Sequence, residues 1–356
     1  MSDASTLSRR YTTMLVAGLS LIALSCVAML MPVPYVMQRP GPAFDTLGDF
    51  EGEAMFTFDK GVKVYPTKGS LEFTTVRLTG PEGHLSLRRA IQAYFSSDEA
   101  VVPKSLVYPD NETAEQSSEA SAAQLDSSKD SSRVAALRAA GYTVTGVAQI
   151  AAVAKGGAAE GKLKTGDLVT GIDGTKVDTP EALIKAVATR EPGEVVTLSI
   201  TRKGKAKDVA ITTKPAQEDP TLPRIGISLG TKYTYPFKID NNVGRSIGGP
   251  SAGTMFALAI YDKLTPGALT GGIKVAGTGE MAPDGTVGAI GGVRQKMAGA
   301  SEHQVKVFLV PAANCAEAAD GDDFGLKLVK ITKLDDAISS LEALANDSKA
   351  KVPTCS

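Results

Sequence analysis

The chain has 356 residues, enough for two or three domains, with 43% apolar residues and a formal net charge of −1. Lys and Arg are scattered and Trp is absent, so no nucleic-acid partner is expected. Two His, three widely spaced Cys and no Gly-x-x-x-x-Gly-Lys-Ser/Thr motif argue against a Cys/His zinc site and a P-loop ATPase module in this sequence. No metal or cofactor is expected.

The first predicted element is a transmembrane helix at residues 12–32. Residues 12–31 carry no charge, and about 20 such residues can span a bilayer. Arg9 and Arg10 precede this run and acidic residues follow it, which predicts a cytoplasmic tail at 1–11 and an extracytoplasmic bulk. A cleaved signal peptide is the alternative, but no small-x-small site follows the run.

A membrane-proximal α/β segment is predicted over residues 39–141. The stretch Gln38-Arg39-Pro40-Gly41-Pro42 predicts a rigid exit from the membrane, and short β-rich runs follow it. Residues 110–133 are rich in Ser, Glu, Gln, Ala and Asp, which predicts a solvated helix or a loose linker. The helical pattern stops at Gly141.

Residues 142–215 have the layout of a small β-rich domain with one helix. Thr179 can cap that helix, and Pro180 suits its first position. The stretch resembles the PDZ modules of bacterial secreted proteases at Gly166-Asp167-Leu168, Ile172-Asp173-Gly174 and Thr179-Pro180. The resemblance implies that a peptide is added as an extra strand, next to a strand containing Gly146, Val147 and Ala148. A PDZ fold that only spaces or shields the next domain is the alternative.

A C-terminal α+β domain is predicted at 220–346, followed by a tail at 347–356. Its central stretch is Ile247-Gly248-Gly249-Pro250-Ser251-Ala252-Gly253-Thr254-Met255. The glycines permit a sharp turn and Pro250 cannot continue a strand, so Ser251 is expected at the start of a helix. Free backbone N–H groups there can stabilise an oxyanion. Taken alone, the pattern fits a Ser N-cap on a buried helix better than a nucleophile.

Two further blocks change that interpretation. Pro250-Ser251-Ala252-Gly253, Thr278-Gly279-Glu280 and Ile290-Gly291-Gly292 with Lys296 occur in the order found in Lon proteases. At these blocks the chain resembles the Lon catalytic domain, a serine–lysine peptidase family. ATP-dependent Lon usually has Asp-Gly where this chain has Gly248-Gly249. That difference resembles the smaller, membrane-anchored, PDZ-containing Lon-like proteases, and the resemblance covers nearly the whole chain.

The resemblance implies an ATP-independent serine endopeptidase. Ser251 would attack the scissile carbonyl, Lys296 would be the base, and Thr278 would orient the lysine amine. A neutral lysine at pH 7 costs roughly 4–5 kcal/mol, which burial in an apolar pocket can impose. The turn of Gly249, Pro250 and Ala252 would supply the oxyanion hole, with the N–H groups of Ser251 and Gly249 as expected donors.

Two other functions stay open at this point. A non-catalytic PDZ/Lon-like membrane scaffold that binds protein C-termini is one of them. The other is a hydrolase in which His303, seven residues after Lys296, serves as the base for Ser251. The expected partners are polypeptide substrates and the membrane, and a homo-oligomer is raised only by analogy with Lon-type rings.

The cysteines allow one disulfide. Cys315 and Cys355 are the two cysteines outside the predicted span, and disulfides persist outside the membrane. A bond between them would hold the C-terminal tail on the last domain, and two free thiols are the alternative. Cys26 is expected to be a small apolar residue of the span.

Overall fold

A computed structural model describes residues 3–109 and 113–355. The chain forms two compact units. Residues 1–141 and 238–356 together make one of them, called here the discontinuous unit. Residues 142–237 make the other, the inserted unit, which interrupts the first in sequence.

The first segment of the discontinuous unit begins with a long helix and continues as short strands and three further helices. These elements are α1 (Asp3–Leu30), β1 (Pro32–Val33), β2 (Tyr35–Asp45), β3 (Asp49–Phe50), β4 (Glu53–Ala54), β5 (Phe56–Phe58), β6 (Ser70–Leu78), β7 (Leu85–Ser86), α2 (Leu87–Tyr94), β8 (Ala100–Pro103), α3 (Lys104–Val107) and α4 (Ala114–Ala139). Within α1, the 22 residues Arg9–Leu30 are long and apolar enough to cross a membrane. This stretch is a candidate membrane span.

The inserted unit is an antiparallel sheet with one helix. Its elements are β9 (Thr145–Val153), β10 (Leu168–Ile172), β11 (Thr175–Lys176), α5 (Pro180–Ala188), β12 (Val195–Arg202), β13 (Lys205–Thr212), β14 (Lys214–Pro215), β15 (Pro223–Arg224) and β16 (Ile227–Thr234). The main strands run in the order β13-β12-β10-β9-β16. The Thr179 side chain accepts from the N–H of Ala182, so it caps α5 as expected.

The inserted unit is longer than the 142–215 expected from sequence. Strand β16 pairs with β9 from Ile227↔Val153 to Thr234↔Thr145, so its backbone hydrogen bonds are made inside this unit. Residues expected to open the last domain at 220 therefore belong to the inserted unit instead.

The second segment of the discontinuous unit alternates strands and helices. Its elements are β17 (Ile239–Asn241), α6 (Gly253–Leu264), β18 (Lys274–Gly277), β19 (Glu280–Met281), β20 (Val287–Gly288), α7 (Val293–Glu302), β21 (Val307–Pro311), α8 (Cys315–Ala319), β22 (Lys327–Ile331) and α9 (Leu334–Asn346). The three longest helices follow the Ser251 turn (α6), the Ile290-Gly291-Gly292 block (α7) and β22 (α9).

The largest sheet of the discontinuous unit joins strands from both segments. Its order is β22-β21-β18-β6-β2-β8, with β18 parallel to β6 and β6 antiparallel to β2. The segment at 39–141, expected to be a separate piece, therefore supplies three strands of the same sheet. The stretch Gln38–Pro42, expected to be a membrane exit, lies inside β2, and its first three residues pair with β6. Local sequence could not show the pairing of β6 with β18, since β18 lies about 200 residues after β6 in the chain.

The C-terminal tail is fixed to this unit. Cys315 and Cys355 are joined by a disulfide with a Cα–Cα separation of 5.0 Å, and Val329 forms a bridge with Thr354. Cys26, on α1, is a free cysteine. The expected pairing of Cys315 with Cys355 is thus present in the structure.

Candidate active site

The nucleophile candidate lies on a turn between β17 and α6. Gly249 has a φ of +83°, a backbone conformation that side-chain-bearing residues rarely adopt. Gly253 opens α6, and a Cβ there would lie 2.8–2.9 Å from Ser128 Oγ and from Met281. The glycines thus let the turn pack closely against its neighbours and hold Ser251 two residues before the first residue of α6.

Lys296 lies on α7, one turn after its start. Gly292, with a φ of +69°, lets the chain turn into this helix. The lysine side chain is only 2% exposed, and its apolar helix neighbours Val293, Met297 and Ala300 are fully buried. Its Nζ lies 2.6 Å from Ser251 Oγ. The structure therefore brings together two side chains that are 45 residues apart in sequence.

Thr278 completes this cluster. It follows β18, is fully buried, and lies 3.0 Å through its Oγ1 from Lys296 Nζ. The same hydroxyl donates to the carbonyl of Ser251 at 3.0 Å. Because its hydrogen is used there, Thr278 accepts from the lysine amine. A neutral amine that donates to Thr278 keeps its lone pair for the hydroxyl hydrogen of Ser251.

Burial sets the charge of the lysine. Removal from water disfavours the ammonium form and lowers the pKa of Lys296 to about 7. The hydrogen bonds described for its Nζ go to two neutral hydroxyls, of Ser251 and Thr278. Near neutral pH a large share of this amine is therefore unprotonated and able to accept a proton.

The oxyanion donors differ in part from those expected. The N–H of Gly249 donates to the carbonyl of Ser121 at 3.0 Å, so it is not available to a substrate. Within residues 3–109 and 113–355, no acceptor is described for the N–H groups of Ser251 and Ala252. These two groups lie beside the start of α6, next to the candidate nucleophile, and can serve as oxyanion donors.

Helix α4 holds the nucleophile turn from the other side. Ser128 Oγ donates to the carbonyl of Pro250 at 2.9 Å, and Ser132 Oγ donates to the carbonyl of Gly253 at 2.8 Å. Lys129 Nζ donates to the carbonyl of Val243 at 2.6 Å. Of the two alternatives expected for residues 110–133, a solvated helix or a loose linker, the helix is present from Ala114 onward, but one of its faces is buried rather than solvated. Ser128 and Ser132 are buried because their small side chains let α4 approach α6 closely while their hydroxyls donate to backbone carbonyls.

Sequence reasoning missed the buried face of α4 because the composition of this helix is polar. The spacing of Ser121, Leu125, Ser128 and Ser132 is helical and places them on one face. A helix face of serines with one leucine resembles a solvated face, so the spacing alone could not distinguish a buried face from a solvated one.

A cleft of about 550 Å³ leads to the paired side chains. Its walls are the Thr74–Leu78 part of β6, the start of α4 and the loop 245–249, with Ser251 and Lys296 at its base. Strand β18 ends opposite Phe73, so β6 has no partner on that side from Thr74 onward among the described strands. An extended chain in the cleft would meet an open strand edge.

His303 does not replace Lys296 in this arrangement. It is the C-cap of α7, and its Nδ1 lies 3.4 Å from Oε2 of the buried Glu72. The hydroxyl of Ser251 is paired with the lysine amine instead. The geometry therefore does not favour the Ser–His alternative.

The peptide strand expected in the inserted unit is corrected. Gly146, Val147 and Ala148 lie on β9, which pairs with β16 at all three residues and with β10 at Ala148, so β9 is an interior strand of the sheet and not its edge strand. Strand β16 is at the end of the sheet, and an apolar groove of about 190 Å³ separates it from α5. The groove is lined by residues of α5, β16 and the loop between β15 and β16: Leu183, Ile184, Val187, Ile225, Ile227 and Leu229.

The missed signal is the stretch after β15. Gly226 has a φ of +73°, and its neighbours Ile225 and Ile227 line the groove. The error came from placing residues after 215 outside this domain, although β16 completes its sheet.

Comparisons with known proteins agree with this two-part arrangement. The model of the Lon protease (S16) C-terminal proteolytic domain matches residues 245–342, and the PDZ domain model matches residues 124–213. The Lon protease of Azospirillum brasilense is 32% identical over 189 residues, which are 50% of this chain and 22% of that protein. A probable periplasmic serine endoprotease DegP-like of Bartonella henselae is 31% identical over 80 residues, 22% of this chain and 15% of that protein.

Among solved structures, the PDZ domain of an SdrC-like protein from Listeria innocua aligns at 24% identity and a TM-score of 0.22. It covers 23% of this chain and 92% of that chain. The chain spans 15% and 22% of the length of the two curated relatives above.

Proposed function

Because the chain carries a PDZ domain and a Lon-type proteolytic domain, we propose that it is a serine endopeptidase with Ser251 as nucleophile and Lys296 as base. The observation that carries the proposal is the 2.6 Å distance from Lys296 Nζ to Ser251 Oγ in a buried pocket. A serine hydroxyl needs such a base beside it, and a desolvated amine can be that base near pH 7.

The reaction follows from the contacts of these side chains. The neutral Lys296 amine takes the hydroxyl proton as Ser251 Oγ attacks the scissile carbonyl carbon. The N–H groups of Ser251 and Ala252 stabilise the negative charge on the carbonyl oxygen. Lys296 then gives its proton to the leaving amine, and later activates the water that hydrolyses the acyl-enzyme. Thr278 keeps the amine oriented throughout by accepting one of its hydrogens.

The substrate is proposed to be an extended polypeptide. The open edge of β6 lies along the cleft, where a peptide backbone can pair with it as an added strand. The PDZ domain is proposed to bind a further peptide segment between β16 and α5, since that groove is apolar and borders an edge strand. The sequence contains no P-loop, so peptide-bond hydrolysis is proposed to proceed without ATP.

We further propose that α1 anchors the protein in the cell membrane with the two domains outside the cytoplasm. Arg9–Leu30 is long and apolar enough to span a bilayer, and Arg9 and Arg10 stand at its N-terminal end. The Cys315–Cys355 disulfide fits an oxidising compartment. The DegP-like relative is described as periplasmic.

The test is casein cleavage by the full chain in detergent micelles, together with labelling by a fluorophosphonate serine probe. Wild type is compared with Ser251→Ala, Lys296→Ala and His303→Gln. The proposal expects cleavage and labelling in wild type and His303→Gln, and neither in the other two. Cleavage retained in Lys296→Ala would overturn the mechanism. A wild type that the probe does not label would favour the non-catalytic scaffold.

A further inference from the structure

Large exposed apolar side chains are concentrated in one part of the discontinuous unit. Outside α1, the described ones in this unit are Met31, Tyr35, Val64, Leu78, Ile91, Tyr94, Phe95 and Leu106. Tyr94, Phe95 and Leu106 are 77%, 80% and 78% exposed, which is unusual for such large side chains in water. Three of the eight come from α2 and its C-cap, and one from α3.

Helix α2 presents its exposed apolar residues on a single face. Ile91, Tyr94 and Phe95 are three and four positions apart and therefore lie together, and the Tyr94 and Phe95 rings are 5.4 Å apart. The opposite face of the helix is already used, because Ala90 and Ala93 pack with Leu85 and Met37 in a small core. Because the Ala90 and Ala93 face of α2 is packed in this core, the face with Tyr94 and Phe95 points toward solvent.

Both helices are tied to the end of α1. The N–H of Leu87, the first residue of α2, donates to the carbonyl of Met31 at 3.0 Å. The N–H of Lys104, the first residue of α3, donates to the carbonyl of Pro34 at 3.0 Å. The apolar stretch of α1 ends at Leu30, so α2 and α3 begin beside the point where the chain would leave the bilayer.

We propose that the patch formed by Ile91, Tyr94, Phe95 and Leu106 binds the lipid surface of the membrane that α1 spans. This inference rests on the proposed anchoring by α1. Tyrosine and phenylalanine are suited to the bilayer interface, and the exposed Arg88 on the same helix face can meet lipid phosphates. Lipid is favoured over another protein as the ligand because α2 and α3, which carry the patch, begin beside the end of α1, the proposed membrane span.

The patch also places the active-site cleft relative to the bilayer. Val107 and Tyr108 follow Leu106 directly and line the cleft, as do Leu78 and Pro81. One end of the cleft would then open at the lipid surface. The class of substrate that fits this position is a polypeptide segment emerging from the membrane.

The absence of tryptophan from the sequence permits a direct test. Phe95→Trp places a single fluorophore on the patch of the full chain in phosphatidylcholine vesicles with brominated acyl chains. Ser339→Trp is the control, at an exposed position of α9. This helix follows β22. Strands β22 and β8 are at opposite edges of the six-stranded sheet, roughly 24 Å apart by strand spacing.

The expected result is emission shifted to shorter wavelength and quenched by brominated lipid for Phe95→Trp, and neither change for Ser339→Trp. Equal quenching at both positions, or no quenching at Phe95→Trp, would overturn the proposal. A blue shift without quenching would also overturn it, in favour of a protein contact. Flotation of the same samples with the vesicles distinguishes the two proposals. Protein that does not float would overturn the anchoring by α1. Protein that floats but shows no quenching would overturn only the lipid-binding patch.

A double substitution tests the consequence for substrates. Tyr94→Ser with Phe95→Ser is expected to leave cleavage of a soluble peptide unchanged and to slow cleavage of the same peptide tethered to the vesicle. Unchanged cleavage of the tethered peptide would contradict the placement of the cleft at the lipid surface.

Discussion

Lys296 carries the largest electrostatic cost in the described site. Its pKa is lowered to about 7 by burial, so the folded chain binds fewer protons at this position than the unfolded chain between about pH 7 and pH 10.4. Stability therefore rises with pH across this window; as pH falls, the contribution is lost progressively and is gone by about pH 7. The buried amine is kept despite this cost, as expected for a group with a chemical task.

A first prediction concerns this cost. Lys296→Met should stabilise the protein below pH 7, by up to about 4–5 kcal/mol, because the variant has no ammonium group to bury. The advantage should shrink as pH rises toward 10.4. Urea unfolding from pH 6 to pH 10 measures it, with the exposed Lys349→Met as control. A constant difference at all pH values would contradict the assignment.

A second prediction concerns the hydroxyl of Thr278. Thr278→Val keeps the shape but removes the acceptor for the lysine amine, so kcat should fall about 10- to 100-fold. Thr278→Ser should restore most of the rate. In wild type, kcat should rise with pH through about 7 as Lys296 loses its proton. A rate that falls over this range would count against lysine as the base.

At the scale of elements, we expect α4 to act on the proposed catalysis through the backbone of the Ser251 turn. Ser128 and Ser132 donate to the carbonyls of Pro250 and Gly253, on either side of the proposed nucleophile. Neither serine lines the cleft, so we propose that both are positioning residues. Their loss should misplace Ser251 relative to Lys296 without changing the burial of the lysine.

A third prediction follows for Ser132→Ala. We expect kcat to fall about tenfold with KM unchanged, since small displacements at a reacting centre are costly. The pH midpoint should stay near 7, because the surroundings of Lys296 are intact. The control is Ser127→Ala, an exposed serine on the same helix. A fall in thermal stability with kcat unchanged would reduce Ser132 to a packing role.

A fourth prediction addresses the PDZ groove. Ile184 is exposed on α5 and lines the groove beside β16. Ile184→Glu should weaken binding of apolar C-terminal peptides about tenfold or more, because it puts a charge in an apolar site. Val195→Glu is a matched control, being exposed in the same unit and not part of the groove. Fluorescence anisotropy with a labelled peptide compares them, and equal effects would contradict the groove.

At the scale of the whole molecule, the N-terminal segment, which supplies three strands, and the C-terminal segment, which carries Ser251 and Lys296, form one unit although the inserted unit separates them in sequence. Strand β6 of the first segment must pair with β18 of the second for the sheet to form, so neither segment is complete without the other. The disulfide closes this unit at its C-terminal end.

The fifth prediction tests that closure. Cys315 and Cys355 are separated by 40 residues, and a cross-link over such a loop adds about 4 kcal/mol in the chain-entropy account. Cys315→Ser with Cys355→Ser should lower the melting temperature, whereas Cys26→Ser should not. Calorimetry of the full chain in detergent measures both. An unchanged melting temperature in the double variant would mean that the tail adds nothing to stability.

Several local elements and the residues of the candidate site could be predicted from the sequence. The Gly-Gly-Pro turn before Ser251, the cap of α5 by Thr179 and the apolar helix at the N-terminus are local features, because short-range backbone and capping preferences fix them. The order of three motif blocks was enough to group Ser251, Thr278 and Lys296.

The features that depend on pairing between distant parts of the chain were visible only in the tertiary structure. Strand β6 finds β18, and β16 rather than β9 becomes the free edge beside α5. The serine face of α4 is buried against backbone carbonyls that lie more than 100 residues away in sequence, so only the folded chain shows this contact. Composition reports the preference of a residue for water, whereas the partner that replaces the water is set by the fold.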